Sequence, residues 1–395
     1  MASPPSESWR RNQWVMAAAV FVVFSGFAFV LPFLPLYVHE LGVADEERAA
    51  LWAGILIGIS PLLAGLMAPV WGRMADRRGA KRVALRALAS YVVLLFLSAF
   101  VSSVGQLLVL RIGVGLFGGI GPLALAMATA LAPREETGRA VGLVQSAQIL
   151  AAAAGPLAGG VLADAVGMRA TFVVTAGVCG VAFLLVAFYY VEGSPAERKA
   201  SSTTASLGSL LAIPQLGLIL AVLFLVNFIG RSFTPILPLH LKGLGIADGR
   251  VASATGMLIS AYSVAAALSA SMLGRASARR EPRPLLVMSL VGGGLLVLPM
   301  AFVSSYGAFM ALAILLGLAS GGALTLCYTI GGLLVSADRR ATAFGFFSGA
   351  ALFGGALSPS IAGLLAHWDV RGIFYLDAAL YAVLVAGLTL APERA

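Results

Sequence analysis

A chain of 395 residues that is 60% hydrophobic and 11% charged, with a mean hydropathy of +0.96, is not a soluble globular protein. Such a protein would carry about 25% charged residues. The net charge of +9 does not point to nucleic acid, because the cations fall in short segments between long apolar runs. Cys179 and Cys327 lie inside apolar runs and suggest neither a disulfide framework nor a metal set.

A membrane span needs roughly 20 apolar residues. Reading runs between charged breaks predicts twelve spans, at about 14–38, 51–71, 83–103, 106–130, 141–163, 170–191, 212–240, 251–273, 284–303, 306–334, 341–366 and 372–391. Residues 1–13 read as a polar cytoplasmic N-terminal tail. Arg10 and Arg11 precede an apolar run, as in an export signal. The run from Trp14 to Val38 is too long for a signal core, and no small-residue cleavage site follows it, so it reads as a retained first span.

Between the second and third spans, Trp71 to Arg82 holds six charged residues in twelve. Hydrocarbon excludes so polar a stretch, which predicts a tight aqueous turn. Gly72 allows close helix approach, and Gly79 permits a left-handed turn. Arg73, Arg77, Arg78, Lys81 and Arg82 mark the cytoplasmic side, and Asp76 can pair with an Arg or a helix N-terminus. With both termini cytoplasmic, nineteen of the 26 lysines and arginines fall on that side, counting Arg86 at the start of the third span.

In the fourth span, Arg111 is an intramembrane cation that should face the bundle interior. The alternative is a snorkelling side chain near the periplasmic edge. Gly115 and Gly118 follow it on roughly one face. The fifth span carries Gln145 and Gln148, which can hydrogen-bond ligand or water. It also carries Gly155, Pro156, Gly159 and Gly160, a set suited to a bend and close helix packing. Asp164 lies near its periplasmic end.

Residues 192–211 read as a cytoplasmic linker between a six-helix half at 14–191 and a second at 212–391, with a short tail at 392–395. The halves repeat at an offset of 202 to 203. Leu34-Pro35-Leu36 matches Leu237-Pro238-Leu239, Gly115 and Gly119 match Gly317 and Gly321, and Pro156 matches Pro359. Parallel repeats of six helices predict a transporter with its site at the repeat interface. In the seventh span, Asn227 and Arg231 share a helix face. They read as cavity lining, or as structural groups in a helix disturbed by Pro235. Asp377 is the carboxylate set well inside a span, either a proton carrier or half of a structural pair. Tyr262, Thr325 and Tyr328 are further candidate cavity groups. His39, His240 and His367 read as interfacial. No catalytic triad, phosphate loop or metal cluster appears in the sequence, so an enzyme is not expected.

The pattern Gly72-x-x-x-Asp76-Arg77-x-Gly79-x-Lys81-Arg82 resembles the signature loop of the major facilitator superfamily. The segment around Arg111 is similar to a second superfamily motif, whose Arg is linked to substrate or proton handling. Gly155-Pro156-x-x-Gly159-Gly160 resembles the antiporter motif of drug exporters, with Ala151 where that motif usually has Gly. The first-span exit, Phe29 to Val38 then Leu41-Gly42, is similar to the drug:proton antiporter group. The resemblance covers nearly the whole chain. It implies an all-α fold of twelve transmembrane helices in two pseudo-symmetric halves. It further implies alternating-access export of amphipathic small molecules across the bacterial inner membrane, by a monomer without cofactor, coupled to inward proton flow. On this reading Asp76 meets the N-terminus of the eleventh span near Ala341 and Thr342 in the outward-facing state, while Arg77, Lys81 and Arg82 hold the cytoplasmic gate. One departure stands out: residues 14–38 contain no carboxylate, which many proton-coupled drug exporters have there. Arg111 and Arg231 then favour neutral or anionic substrates. Metabolite uptake, lipid or lysolipid transport, and a non-transporting scaffold remain alternatives.

Overall fold

In a computed structural model of the chain, each predicted span coincides with a helix or a pair of helices. The structure describes residues 5–129, 137–192, 215–277, 279–335, 340–366 and 368–390. The predicted linker beyond Glu192, the tail after Leu390 and His367 lie outside the described residues. In chain order the helices are α1 (Pro5–Val30), α2 (Leu34–Glu40), α3 (Glu46–Arg78), α4 (Ala80–Ser98), α5 (Val104–Phe117), α6 (Ile120–Thr129), α7 (Thr137–Val166) and α8 (Met168–Tyr189). Then follow α9 (Leu216–Ser232), α10 (Leu237–Gly243), α11 (Val251–Ala276), α12 (Pro282–Met300), α13 (Tyr306–Ser320), α14 (Ala323–Leu334), α15 (Arg340–Ala366) and α16 (Gly372–Leu390). Among the described residues, eight single helices and the run of α13 with α14 have the length and apolarity to cross a membrane, and α9 with α10, bent by 44°, makes a tenth when the pair is counted as one span.

Two boundaries differ from the sequence expectation. Helix α1 begins at Pro5, so residues 5–13, read as a tail, are helical. Asn12 ties this extension down: its amide donates to the Val191 carbonyl at 2.7 Å, and its oxygen accepts from the Val191 N–H at 3.0 Å. The expected turn at 71–82 is mostly helix, because α3 continues to Arg78 before the chain breaks. A helix leaving the membrane keeps its own backbone bonds and has no need to unwind. Only Gly79, at φ +98°, takes the left-handed conformation that joins α3 to α4.

The chain forms two compact units. Unit 1 comprises residues 1–43, 59–201 and 249–257; unit 2 comprises 44–58, 202–248 and 258–395. Residues 44–58 thus pack with the second unit although they belong to the first sequence half, and 249–257 with the first. In unit 1, α1 packs most extensively on α7 and α8, and α4 on α8. Phe172 is fully buried there, edge-on to Phe33 with ring centroids 5.5 Å apart. In unit 2 the corresponding pairs recur: α9 packs on α15, and α12 on α16. Phe374 is fully buried there, stacked on Phe233 at 5.2 Å.

The repeat extends to helix starts. Ser103 caps α5 by accepting the Gln106 N–H at 3.3 Å, and Ser305 caps α13 by accepting the Ala308 N–H at 3.3 Å. Both lie in a Val-Ser-Ser segment, and such a cap satisfies one of the orphan donors of a first turn.

Candidate functional site

Within unit 1, Arg111 sits on α5 with only 7% of its surface exposed. Its Nε and Nη2 atoms are buried without a hydrogen-bond partner among the described residues. Gly115, one turn on, fixes this part of α5 against α3. A Cβ there would lie 2.7 Å from both the Ser60 carbonyl oxygen and the Leu63 side chain. The Ser60 hydroxyl donates to the Arg111 carbonyl at 2.7 Å, locking the two helices at that level. An unpaired cation so placed has unsatisfied donors aimed away from water, which suits an anionic or hydrogen-bond-accepting ligand. The same packing recurs in unit 2, where Gly317 of α13 abuts the Tyr262 carbonyl and Ala265.

On α7, Gly155, Pro156, Gly159 and Gly160 are all buried. Gly155 and Gly159 lie against α1: a Cβ on Gly155 would meet Ala28 at 2.5 Å, and one on Gly159 would overlap the Phe29 backbone. Gly160 faces the other way and abuts the Ala252 carbonyl of α11, while Gly256 abuts the carbonyl of Pro156. Asp164 completes this edge by accepting the Ser253 N–H at 2.8 Å in the first turn of α11. Gln148 is half-buried and Gln145 exposed.

Unit 2 brings several predicted residues together. Gly355 of α15 lies beside both Arg231 and Asn227 of α9; its Cβ would be 3.5 Å from Arg231 Cγ and 3.8 Å from Asn227 Oδ1. Arg231 is exposed and Asn227 half-buried on α9. Tyr262 is within electrostatic reach of Arg231 and Asp377, and Tyr381 is within reach of Tyr262 and Asp377. Asp377 is fully buried and lies 2.6 Å from the Ser232 hydroxyl. Tyr328 stands apart on α14, stacked on Phe344 at 5.8 Å with its hydroxyl 3.5 Å from Ser348.

Of the predicted gate residues, Gly72 and Arg77 are exposed on the last turns of α3. Lys81 donates to the Tyr190 carbonyl at 2.7 Å, and its backbone N–H donates to Glu192 at 3.3 Å. Arg82 is exposed. The side chains of Asp76 and Thr342 lie outside the description, so the expected latch between them has no geometry here.

Sequence reasoning missed three groups. Arg86 lies over the Trp71 ring at 3.2 Å, and its Nη2 donates to the Phe117 carbonyl. Ser232 partners Asp377. Gly54 and Gly363 pack α3 against α15 in unit 2, against the carbonyls of Pro359 and Ala50 respectively. The repeat offset would have found the last group, since Gly54 aligns with Gly256 and Gly363 with Gly160.

A model of the Major Facilitator Superfamily matches residues 16–255 and 249–395, from within α1 to the last residue of the chain. The chain belongs to the Major Facilitator Superfamily. Within it, the chain is 31% identical over 380 residues to the multidrug resistance protein MdtG of Proteus mirabilis (strain HI4320), covering 95% of this chain and 94% of that protein. It is 34% identical over 377 residues to MdtG of Salmonella heidelberg (strain SL476), covering 94% and 93%. Among solved structures, a bacterial homolog of the human lysosomal transporter Spinster, inward-facing and occupied, superposes with a TM-score of 0.83. That likeness covers 99% of this chain and 97% of the other at 17% identity, so it concerns the fold. The nucleoside transporter NupG gives 0.76 at 14% identity, covering 97% of this chain and all of that one. This superfamily member is a multi-pass membrane transporter of the MdtG-like kind.

Proposed function

We propose that this transporter exports amphipathic small molecules across the bacterial inner membrane in exchange for protons. The observation that carries the reading is the likeness to MdtG multidrug resistance proteins over some 94% of both chains. The intramembrane cations refine it. Arg111 is buried without a partner for two of its nitrogens, and Arg231 is exposed on α9. Together with the carboxylate-free first span, they favour anionic, zwitterionic or neutral amphiphiles over lipophilic cations. The α7 glycines support the direction of transport through their resemblance to the exporter motif.

The proposed cycle is alternating access around a site near the bilayer midplane. Both termini are cytoplasmic, the coupling ion is the proton, no cofactor takes part, and the working unit is a monomer. The test is growth of an efflux-deficient bacterial host on a panel of toxic amphiphiles sorted by charge. Wild type should protect against anionic and neutral members, and Arg231→Gln at matched expression should lose the anionic ones. Failure of wild type to protect against any member would overturn export.

A further inference from the structure

We infer that Asp377 and Ser232 form a buried proton-binding site in which the Ser232 hydroxyl switches partner as the carboxyl gains or loses its proton. Resting on the proposed antiport, this site would carry the coupled proton.

Asp377 is 0% exposed, on α16 in unit 2, and makes no ion pair among the described residues. One oxygen, Oδ1, has no hydrogen-bond partner there. The other lies 2.6 Å from Ser232 Oγ, and that hydroxyl is also 2.8 Å from the Ile229 carbonyl of its own helix. A serine hydroxyl has one proton to give. When it bonds the carbonyl one turn back, a common local arrangement, the short contact to Asp377 needs a proton from the carboxyl. The neutral acid therefore satisfies both contacts: Asp377 donates to Ser232, and Ser232 donates to Ile229. An ionised carboxylate held in a dry interior without a cation is costly, which favours the same state.

Loss of the proton has a definite local consequence. The carboxyl O–H bond breaks, and the proton leaves to solvent. The Ser232 hydroxyl rotates from the Ile229 carbonyl to donate to the carboxylate. Rebinding reverses both moves. Titratable and charged groups lie on the elements around the pair. From α9 comes Arg231, next to Ser232 in sequence and exposed. From α11 comes Tyr262, within electrostatic reach of both Arg231 and Asp377. Tyr381, on α16 itself, is within electrostatic reach of Asp377 and Tyr262. His240 of α10 packs on the Phe374 ring, one turn from Asp377, with its Nε2 buried and unpartnered and Arg371 within electrostatic reach. No described acid shares the site, so Asp377 is the group placed to take the proton.

The test is infrared difference spectroscopy of the full-length protein in lipid vesicles, through upward and downward pH steps, with no substrate present. Wild type should show a protonated-carboxyl stretch that is absent from Asp377→Asn and that vanishes and returns with pH. Ser232→Ala should keep the band but move it to higher frequency, because the acid has lost its acceptor. The inference fails if the Asp377 band is absent, if it persists at every pH where the protein stays folded, or if Ser232→Ala leaves it unmoved. The Ser232→Ala arm decides the matter should Asp377→Asn misfold. Growth protection is read separately. A titrating Asp377 in a protein that protects against nothing would defeat export while leaving this site standing. Protection with a silent Asp377 would defeat the site alone.

Discussion

Gly256 of α11 lies against the carbonyl of Pro156 on α7, closely enough that a Cβ on Gly256 would overlap it. In unit 2, Gly54 of α3 meets the carbonyl of Pro359 on α15 in the same way. A second matched pair accompanies them: Gly160 against Ala252, and Gly363 against Ala50. Each unit thus contains one helix crossing of the same design, with glycine on each helix against the other's backbone.

These crossings should not tolerate a methyl group. Gly256→Ala should destabilise the protein by about 1–3 kcal/mol through overpacking. Gly177→Ala on α8, where nothing lies within 4 Å, should be neutral or slightly stabilising because it removes a flexible helix residue. Thermal unfolding of the two variants in one detergent checks the contrast.

Asp164 should act as a cap for α11 in unit 1, since it accepts the Ser253 N–H at 2.8 Å. Asp164→Ala should cost about 0.5–2 kcal/mol, and Asp164→Asn clearly less, because Asn caps nearly as well as Asp. Equal losses for the two variants, seen by thermal unfolding, would argue for a charge role instead.

The Trp71–Arg86 pair should be stabilising in its own right. The guanidinium lies 3.2 Å from the ring centre, and Arg86 also donates to the carbonyl that ends α5. Trp71→Leu should cost about 0.5–2 kcal/mol. Arg86→Lys should recover only part of the wild-type value, because an ammonium keeps the charge but loses the flat fork. A double-mutant cycle on thermal stability measures the coupling.

Much of the fold was legible because a membrane leaves few choices. Apolar runs bounded by charge became helices, and the offset of Pro156 to Pro359 announced the repeat. The boundaries were less legible, for physical reasons. Hydropathy marks where hydrocarbon ends, but α3 runs on to Arg78 in water, and α1 starts early because Asn12 finds Val191. The site was legible only in part. Arg111 and Asp377 stand out as charges in apolar runs. Ser232 looks like any serine until folding brings it to Asp377, a separation of 145 residues.

Neutralising Arg231 should alter selectivity more than stability, because its side chain is exposed. A lost charged hydrogen bond of about 1.5–3 kcal/mol corresponds to a tenfold or larger loss in affinity for anionic substrates. Dose–response growth curves for Arg231→Gln against anionic and neutral compounds measure it. A uniform loss across both classes would place Arg231 in the shared transport step.

The most direct test of the account is proton exchange in everted membrane vesicles from an efflux-deficient host. The vesicle interior is acidified and reported by a pH-quenched dye. A compound against which wild type protects cells should release protons and restore fluorescence when added, and vesicles carrying Asp377→Asn should stay dark. Uptake of that compound into wild-type vesicles with no change in dye fluorescence would contradict proton-coupled export.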